Sequence, residues 1–298
     1  MKCLPISKVF YPDFYVDIEM KTILVTGING FLGSHLAKRL SQNYHILGIE
    51  YKPENLFRLE GFDFEVFDSS NESIRNLFEN RKIDFIIHTA TFYGRGDEDL
   101  PQIAETNLFM PFRLLNSGIK NNVTAFINTD TVLDRFVSAY ALTKNQFREW
   151  LYFRRNEIKT INMQLEHFYG KGCSNSNFVT AMIERLKNND PVIDLTAGEQ
   201  QRDFIYYEDV VSAFEIIIRK NDEIATGSNF QAGSGEQISI KELMLFLKKE
   251  IGSSSELNFG AVPYRENELM KVGTDSGGLR KLGWKPKYGI KEGVLKLV

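Results

Sequence analysis

Thr22-Ile-Leu-Val-Thr-Gly-Ile-Asn-Gly-Phe-Leu-Gly33 decides how this chain folds. Thr22–Thr26 is a short β-branched, apolar run, the pattern of a parallel strand buried on both faces. Gly27 follows at once, and from Ser34 to Leu40 the apolar residues recur at helical spacing. A glycine directly after a strand permits a tight turn and lets backbone approach a ligand with no Cβ in the way. The helix opening there points free N–H groups and its positive dipole end outward, which suits a dinucleotide pyrophosphate. The spacing Gly27-x-x-Gly30-x-x-Gly33 has one residue more between its first two glycines than the pattern of two-domain dehydrogenases. A glycine-rich loop with no ligand is the ordinary alternative; the strand before it and the helix after it weigh against that. Gly27, Asn29, Gly30, Phe31, Leu32 and Gly33 are therefore candidate cofactor contacts.

Moving outward, His45–Ile49 reads as a second strand with Glu50 at its carboxyl end, where an acid accepts hydrogen bonds from the adenosine ribose. A carboxylate there repels a 2′-phosphate and so favours NAD over NADP, although Lys52 nearby keeps NADP open. Asp68, with Ser69, ends the run Phe64–Phe67 and is placed to meet the adenine amino group; a solvated turn is the alternative for either acid. Further on, Tyr140-Ala-Leu-Thr-Lys144 has helical spacing, so the phenol and the ammonium share a face. An ammonium beside a phenol favours the phenolate and lowers the tyrosine pKa from about 10 toward working pH. That is the tuning a general acid–base requires. Such pairs are common on amphipathic helices, and this one gains weight from following a fifth strand, Ala125–Asn128, with Thr129 just past its end.

The order of Thr26–Gly33, His88-Thr89-Ala90, Asn107, Thr129 and Tyr140…Lys144 resembles the extended short-chain dehydrogenase/reductases that act on nucleotide sugars. Leu165-Glu-His167-Phe-Tyr-Gly170-Lys-Gly172 and Gln201-Arg202-Asp-Phe-Ile-Tyr206-Tyr-Glu-Asp-Val-Val211 resemble two later motifs of that family. The resemblance implies a nicotinamide enzyme with Thr129, Tyr140 and Lys144 catalytic, and adds Thr89, Ala90, Asn107 and His167 to the cofactor site, where Tyr140 and Lys144 also belong, Lys144 on the nicotinamide ribose. For a nucleotide-diphosphate sugar it implies contacts from Phe92, Tyr93, Asp130, Thr131, Asn177, Phe178, Arg202 and Arg265, with Arg95 beside them. Phe126–Asp130, Gln164–His167, Thr196–Gln200, Asn258–Ala261, Tyr264–Met270 and Lys281–Pro286 are similar to the branch that reduces a C4 ketone. A 4-epimerase or 4-dehydrogenase with tightly held NAD uses the same residues and stays open, as does a non-catalytic NAD(P)-sensing relative. Dehydratases of the family carry Asp–Glu after the catalytic threonine, whereas here Thr131 follows Asp130. Gln164, His167 and Lys171 stand where the family commonly has Arg, Asn and Pro.

The expected fold is α/β: a doubly wound parallel Rossmann sheet with a smaller carboxyl-terminal lobe for the substrate. Residues 1–20 read as an extension, 21–169 as the NAD(P) domain and 170–298 mainly as the lobe, with Asp203–Ile218 and Ser228–Gly233 returning to the sheet. Helices are expected over Ala104–Asn116 and Tyr140–Arg155, which in the family form a four-helix bundle across a homodimer. A net charge of −3 with mixed signs gives no field for nucleic acid. No stretch is apolar enough to span a bilayer, and two cysteines, Cys3 and Cys173, suit a reducing cytoplasm. His35, His45, His88 and His167 lack metal-ligand spacing, so no metal is expected, and His88 at a strand end reads as a packed side chain.

Overall fold

The apolar runs become strands of one sheet. A computed structural model describes residues 20–94, 99–265 and 268–298. In chain order the first elements are β1 (Thr22–Thr26), α1 (Phe31–Leu40), β2 (His45–Glu50), β3 (Glu65–Asp68), α2 (Asn71–Asn80) and β4 (Phe85–His88). Then come α3 (Leu100–Ala104), α4 (Met110–Lys120), β5 (Ala125–Thr131), α5 (Ala139–Phe153), β6 (Lys159–Leu165), β7 (His167–Tyr169) and α6 (Phe178–Lys187). The rest are β8 (Val192–Leu195), β9 (Gln201–Arg202), β10 (Phe204–Tyr206), α7 (Tyr207–Arg219), β11 (Ser228–Ala232), β12 (Ile238–Ser239), α8 (Ile240–Ile251), β13 (Glu256–Phe259), α9 (Gly277–Lys281) and α10 (Ile290–Leu295). Seven strands form the central sheet in the order β11-β6-β5-β4-β1-β2-β3. β1 is parallel to both β2 and β4 and wholly buried, which is why its sequence is apolar without alternation.

Backbone contacts divide the chain into two compact units, one of residues 1–128 and 146–161, the other of 129–145 and 162–298. In the first, Leu24, Leu47, Ile86 and Phe126 of the strands pack with Leu77, Leu114 and Phe147 of the helices. α1 turns Leu32, Leu36, Ala37 and Leu40 inward, at helical spacing. In the second, Tyr169, Ile183, Phe204, Leu243, Tyr288 and Val294 make a separate core.

Two local departures from the sequence reading have physical causes. The helix expected over Ala104–Asn116 is broken into α3 and α4 by a π-helical turn over Glu105–Phe109. Pro111 sits at the start of α4 and has no N–H to continue an α-helical ladder, so the backbone widens before it. β5 also runs on through Thr131, so Thr129 lies within the strand rather than past it. Residues 1–19 and Arg95 lie outside the described residues. No helix of the described residues is long and apolar enough to cross a membrane.

Candidate active site

In the first unit the glycine motif is a matter of space. Gly27 has φ of 62°, a left-handed conformation, and a Cβ there would lie 2.8 Å from the Ala90 Cα. A Cβ on Gly33 would lie 2.1 Å from the Gly27 carbonyl oxygen and 2.9 Å from Thr89 Oγ1. The turn, Thr89 and Ala90 thus pack backbone to backbone. Thr26 Oγ1 accepts from the Thr89 and Ala90 N–H groups, both at 3.2 Å, and lies 2.8 Å from His88 Nδ1. His88 is completely buried in this contact, a packed side chain. α1 begins at Phe31 with no side-chain cap and no acid in its first turn, so its leading N–H groups and dipole suit an anion.

Glu50 and Asn29 meet. Glu50 Oε2 accepts from the Asn29 N–H and Oε1 from the Tyr51 N–H, each at 2.9 Å. Asn29 also donates from Nδ2 to the Asn55 carbonyl and accepts the Arg58 N–H at Oδ1, tying the glycine turn to the loop after β2. These bonds fix the Glu50 carboxyl at the end of its strand, where ribose hydroxyls would meet it. Asp68 is exposed; the Ser70 hydroxyl and N–H hold its carboxyl below the usual range, and Ser69 lies half-buried beside it. Asn107, placed by resemblance among the cofactor contacts, is fully buried in the π-turn. Its amide brackets the Phe92 backbone, accepting the N–H and donating to the carbonyl, both at 2.9 Å. It shapes the loop carrying the exposed Phe92 and Tyr93.

The second unit holds the catalytic candidates. Tyr140 and Lys144 lie one turn apart on α5, with Tyr140 half-buried and Lys144 only 2% exposed. Thr129 is buried near the end of β5. Asp130 and Thr131, placed as substrate contacts, are buried as well. Asp130 Oδ2 accepts from Asn162 Nδ2 at 2.7 Å, and Oδ1 accepts the Thr131 N–H at 2.8 Å, so this acid braces β5 against β6. Gln164 Nε2 adds a bond to the Thr131 carbonyl at 3.2 Å.

Asn177 caps α6 by accepting the Thr180 N–H and donates from Nδ2 to the Phe168 carbonyl at 3.0 Å, so the helix start lies against β7. Phe178 is half-buried against the second core. Arg202, placed as a phosphate contact, is buried and donates to the Leu269 carbonyl at 2.6 Å and to Glu268 Oε1. Its neighbour Asp203 accepts from the Ser234 and Gly235 N–H groups and from the Ser234 and Thr274 hydroxyls. Both therefore bind the segments that follow, and the fork of Arg202 is already engaged. Arg265 is exposed. Sequence reasoning passed over Asn162, which alternates with Gln164 along β6, and Glu166, an acid directly before His167.

The chain matches the profile of the NAD dependent epimerase/dehydratase family over residues 23–233. This chain belongs to that family. It is 31% identical over 289 residues to CDP-abequose synthase of Salmonella typhimurium, covering 93% of this chain and 97% of the relative. The CDP-abequose synthase of Salmonella muenchen is 32% identical over 297 residues, with 95% and 98% covered. Among solved structures, a UDP-glucuronic acid 4-epimerase from Bacillus cereus, in complex with UDP-glucuronic acid and NAD, superposes with a TM-score of 0.81. It is 24% identical, with 92% of this chain and 97% of that one covered, and shares the Rossmann fold. The matching family is NAD dependent, and the close-packed backbone of the Gly27–Gly33 turn with the uncapped start of α1 fits a dinucleotide.

Proposed function

We propose that this enzyme reduces the C4 keto group of a nucleotide-linked 4-keto-6-deoxy or 3,6-dideoxy sugar, in the making of a surface polysaccharide. The observation that carries the reading is the near full-length similarity to two CDP-abequose synthases in a chain that retains Thr129, Tyr140 and Lys144. Gly27, Asn29, Gly30, Phe31, Leu32 and Gly33 hold the pyrophosphate of NAD, Glu50 the adenosine ribose and Asp68 the adenine. The nicotinamide supplies the hydride. Tyr140 gives its proton to the oxygen as negative charge develops on it. Lys144, one turn on, stabilises the phenolate left behind, and the Thr129 hydroxyl orients the oxygen. The exposed aromatics on α5 and on the π-turn leading into α4, with Phe109 50% and Trp150 46% exposed and both rings against Phe112 of α4, support a homodimer through a four-helix bundle.

A 4-epimerase or 4-dehydrogenase uses the same three residues but begins by oxidising a C4 hydroxyl and keeps its NAD. Following NADH or NADPH absorbance with a panel of nucleotide-linked 4-keto sugars separates the two. Stoichiometric oxidation of cofactor by one substrate supports the reductase; NAD released only on denaturation, with no panel member reduced, supports the other reading. Tyr140→Phe is expected to lower kcat by roughly 10²–10⁴, the usual scale of lost general acid catalysis.

A further inference from the structure

Glu166 and His167 stand where β6 ends and β7 begins, and their arrangement differs from the rest of the second unit. The Glu166 side chain is fully buried, while that of His167 is 42% exposed. Glu166 Oε1 is hydrogen-bonded to His167 Nδ1. Its Oε2 is buried too and has no hydrogen-bond partner among the described residues. A buried carboxyl with one oxygen unmatched is unfavourable and calls for an explanation. The imidazole is held on a second side by Phe204, edge-on with ring centroids 5.6 Å apart, across the β7–β10 pairing that sets His167 beside Phe204.

The surroundings place this pair at the working end of its strand. Gln164, two residues back, is bonded to the Thr131 carbonyl, which ties the carboxyl end of β6 to the end of β5 that carries Thr129. Phe168, one residue on, receives Asn177 Nδ2 from the start of α6. Ligands of doubly wound sheets bind at the carboxyl ends of the strands. An ionised carboxylate can only accept, which would put a ring proton on Nδ1 and leave Nε2 to meet a ligand.

We propose that Glu166 is a positioning residue that locks His167 with its proton on Nδ1, so that Nε2 accepts a hydrogen bond from a donor group of the bound ligand. The inference deepens the proposed function and rests on it. The donor is a hydroxyl of the sugar nucleotide or the amide of the nicotinamide, and the chemistry required is the same for both. An imidazole presenting Nε2 as an acceptor rewards a ligand with an O–H or N–H at that point and discriminates against one without it.

The test reads the tautomer directly. In two-dimensional 15N–1H spectra of 15N-histidine-labelled full-length protein, signals lost in His167→Asn assign the ring. The expected result is a protonated Nδ1 and an unprotonated Nε2, with Glu166→Gln and Glu166→Ala moving protonation toward Nε2. A native ring protonated on Nε2, or one unmoved in both variants, overturns the proposal whether or not the enzyme is a reductase. Binding then names the source. CDP-glucose and CDP serve as sugar-nucleotide probes and NADH as the cofactor probe, titrated without turnover. Glu166→Gln is expected to weaken one of them by roughly tenfold, the scale of one hydrogen bond. Loss for CDP-glucose with CDP unchanged places the donor on the sugar; loss for NADH places it on the nicotinamide. In a His167→Gln background, Glu166→Gln should have no further effect, and an undiminished effect there, or unchanged affinity for every probe in the native background, overturns the proposal.

Discussion

The glycine turn of the first unit and the Gln201–Val211 motif of the second meet opposite physical demands. Around Gly27 and Gly33 the demand is emptiness: backbone lies within van der Waals reach of backbone, and no side chain fits. From Arg202 to Asp209 the demand is for charge that is already matched inside the protein. Arg202 holds Glu268 and the Leu269 carbonyl, and Asp203 gathers Ser234, Gly235 and Thr274. Asp209 accepts the Lys287 and Tyr288 N–H groups, while burial pushes its carboxyl up. One motif is a cradle because nothing fills it; the other is a frame because its charges are taken. The side chains of Arg202, Asp203 and Asp209 thus tie down neighbouring segments of their own unit.

The sharpest way to break this contrast is to fill the cradle. Gly33→Ala sets a Cβ 2.1 Å from the Gly27 oxygen, and that neighbour is backbone, which cannot rotate away. Either the turn or α1 must move. The expected outcome is a loss of NADH affinity of about a hundredfold, roughly 3 kcal/mol, the upper range for overpacking. Titration of NADH fluorescence checks it, and near-native affinity would remove the spatial argument for the motif.

The frame is tested next. Asp203→Ala leaves two N–H groups and two hydroxyls without their acceptor, those of Ser234 in a buried setting and those of Gly235 and Thr274 nearer the surface. Stability to denaturant is expected to fall by about 3 kcal/mol, the scale for orphaned buried donors. Affinity for NADH should stay within about twofold, since the energy lost is that of the second unit's own loops. A variant of normal stability with impaired nucleotide binding would turn the frame into a ligand site.

The contrast also explains what could be read from residues alone. The strands of the first unit were recognisable because buried parallel strands are uninterrupted apolar runs, as in Thr22–Thr26 and Phe85–His88. β5 was read too short because its last four residues, Asn128 to Thr131, are polar yet buried, and their partner Asn162 lies 32 positions from Asp130. Pairing over that distance leaves no local pattern. Arg202 has the fork that phosphate prefers, but its choice of Glu268 depends on a segment 66 residues away. Space around a glycine is a local property and shows in spacing; the partner of a charge is a tertiary property and does not.

A smaller effect sharpens the frame reading of Arg202. The Arg202–Glu268 pair is mostly buried, with side chains 10% and 17% exposed. Glu268→Gln keeps shape and removes charge, so a loss of about 2 kcal/mol is expected, below the 3–5 kcal/mol of a fully buried pair. Affinity for CDP decides the role. A frame leaves it unchanged, whereas an arginine waiting for a phosphate would be released by the substitution and bind CDP several-fold more tightly.

The smallest effect lies at Asp68, on the nucleotide side. The Ser70 hydroxyl and then its N–H favour the ionised carboxylate and lower its pKa from the ordinary 3.8. A carboxyl depressed in the folded state adds stability that is present above the unfolded value and lost as pH falls through the folded one. Native protein should therefore lose a little stability on acidification below pH 3.8, and Asp68→Asn should lose less over the same interval. Because the group is almost wholly exposed, the difference is at most about 0.5 kcal/mol after solvent screening. Asp68→Asn should also weaken NADH by a few-fold if the carboxylate receives the adenine amino group, the scale of one solvent-exposed hydrogen bond. An acid limb altered with NADH affinity intact would make Asp68 a turn residue only. The cradle would then consist of backbone and Glu50, which is the contrast with the charged frame in its purest form.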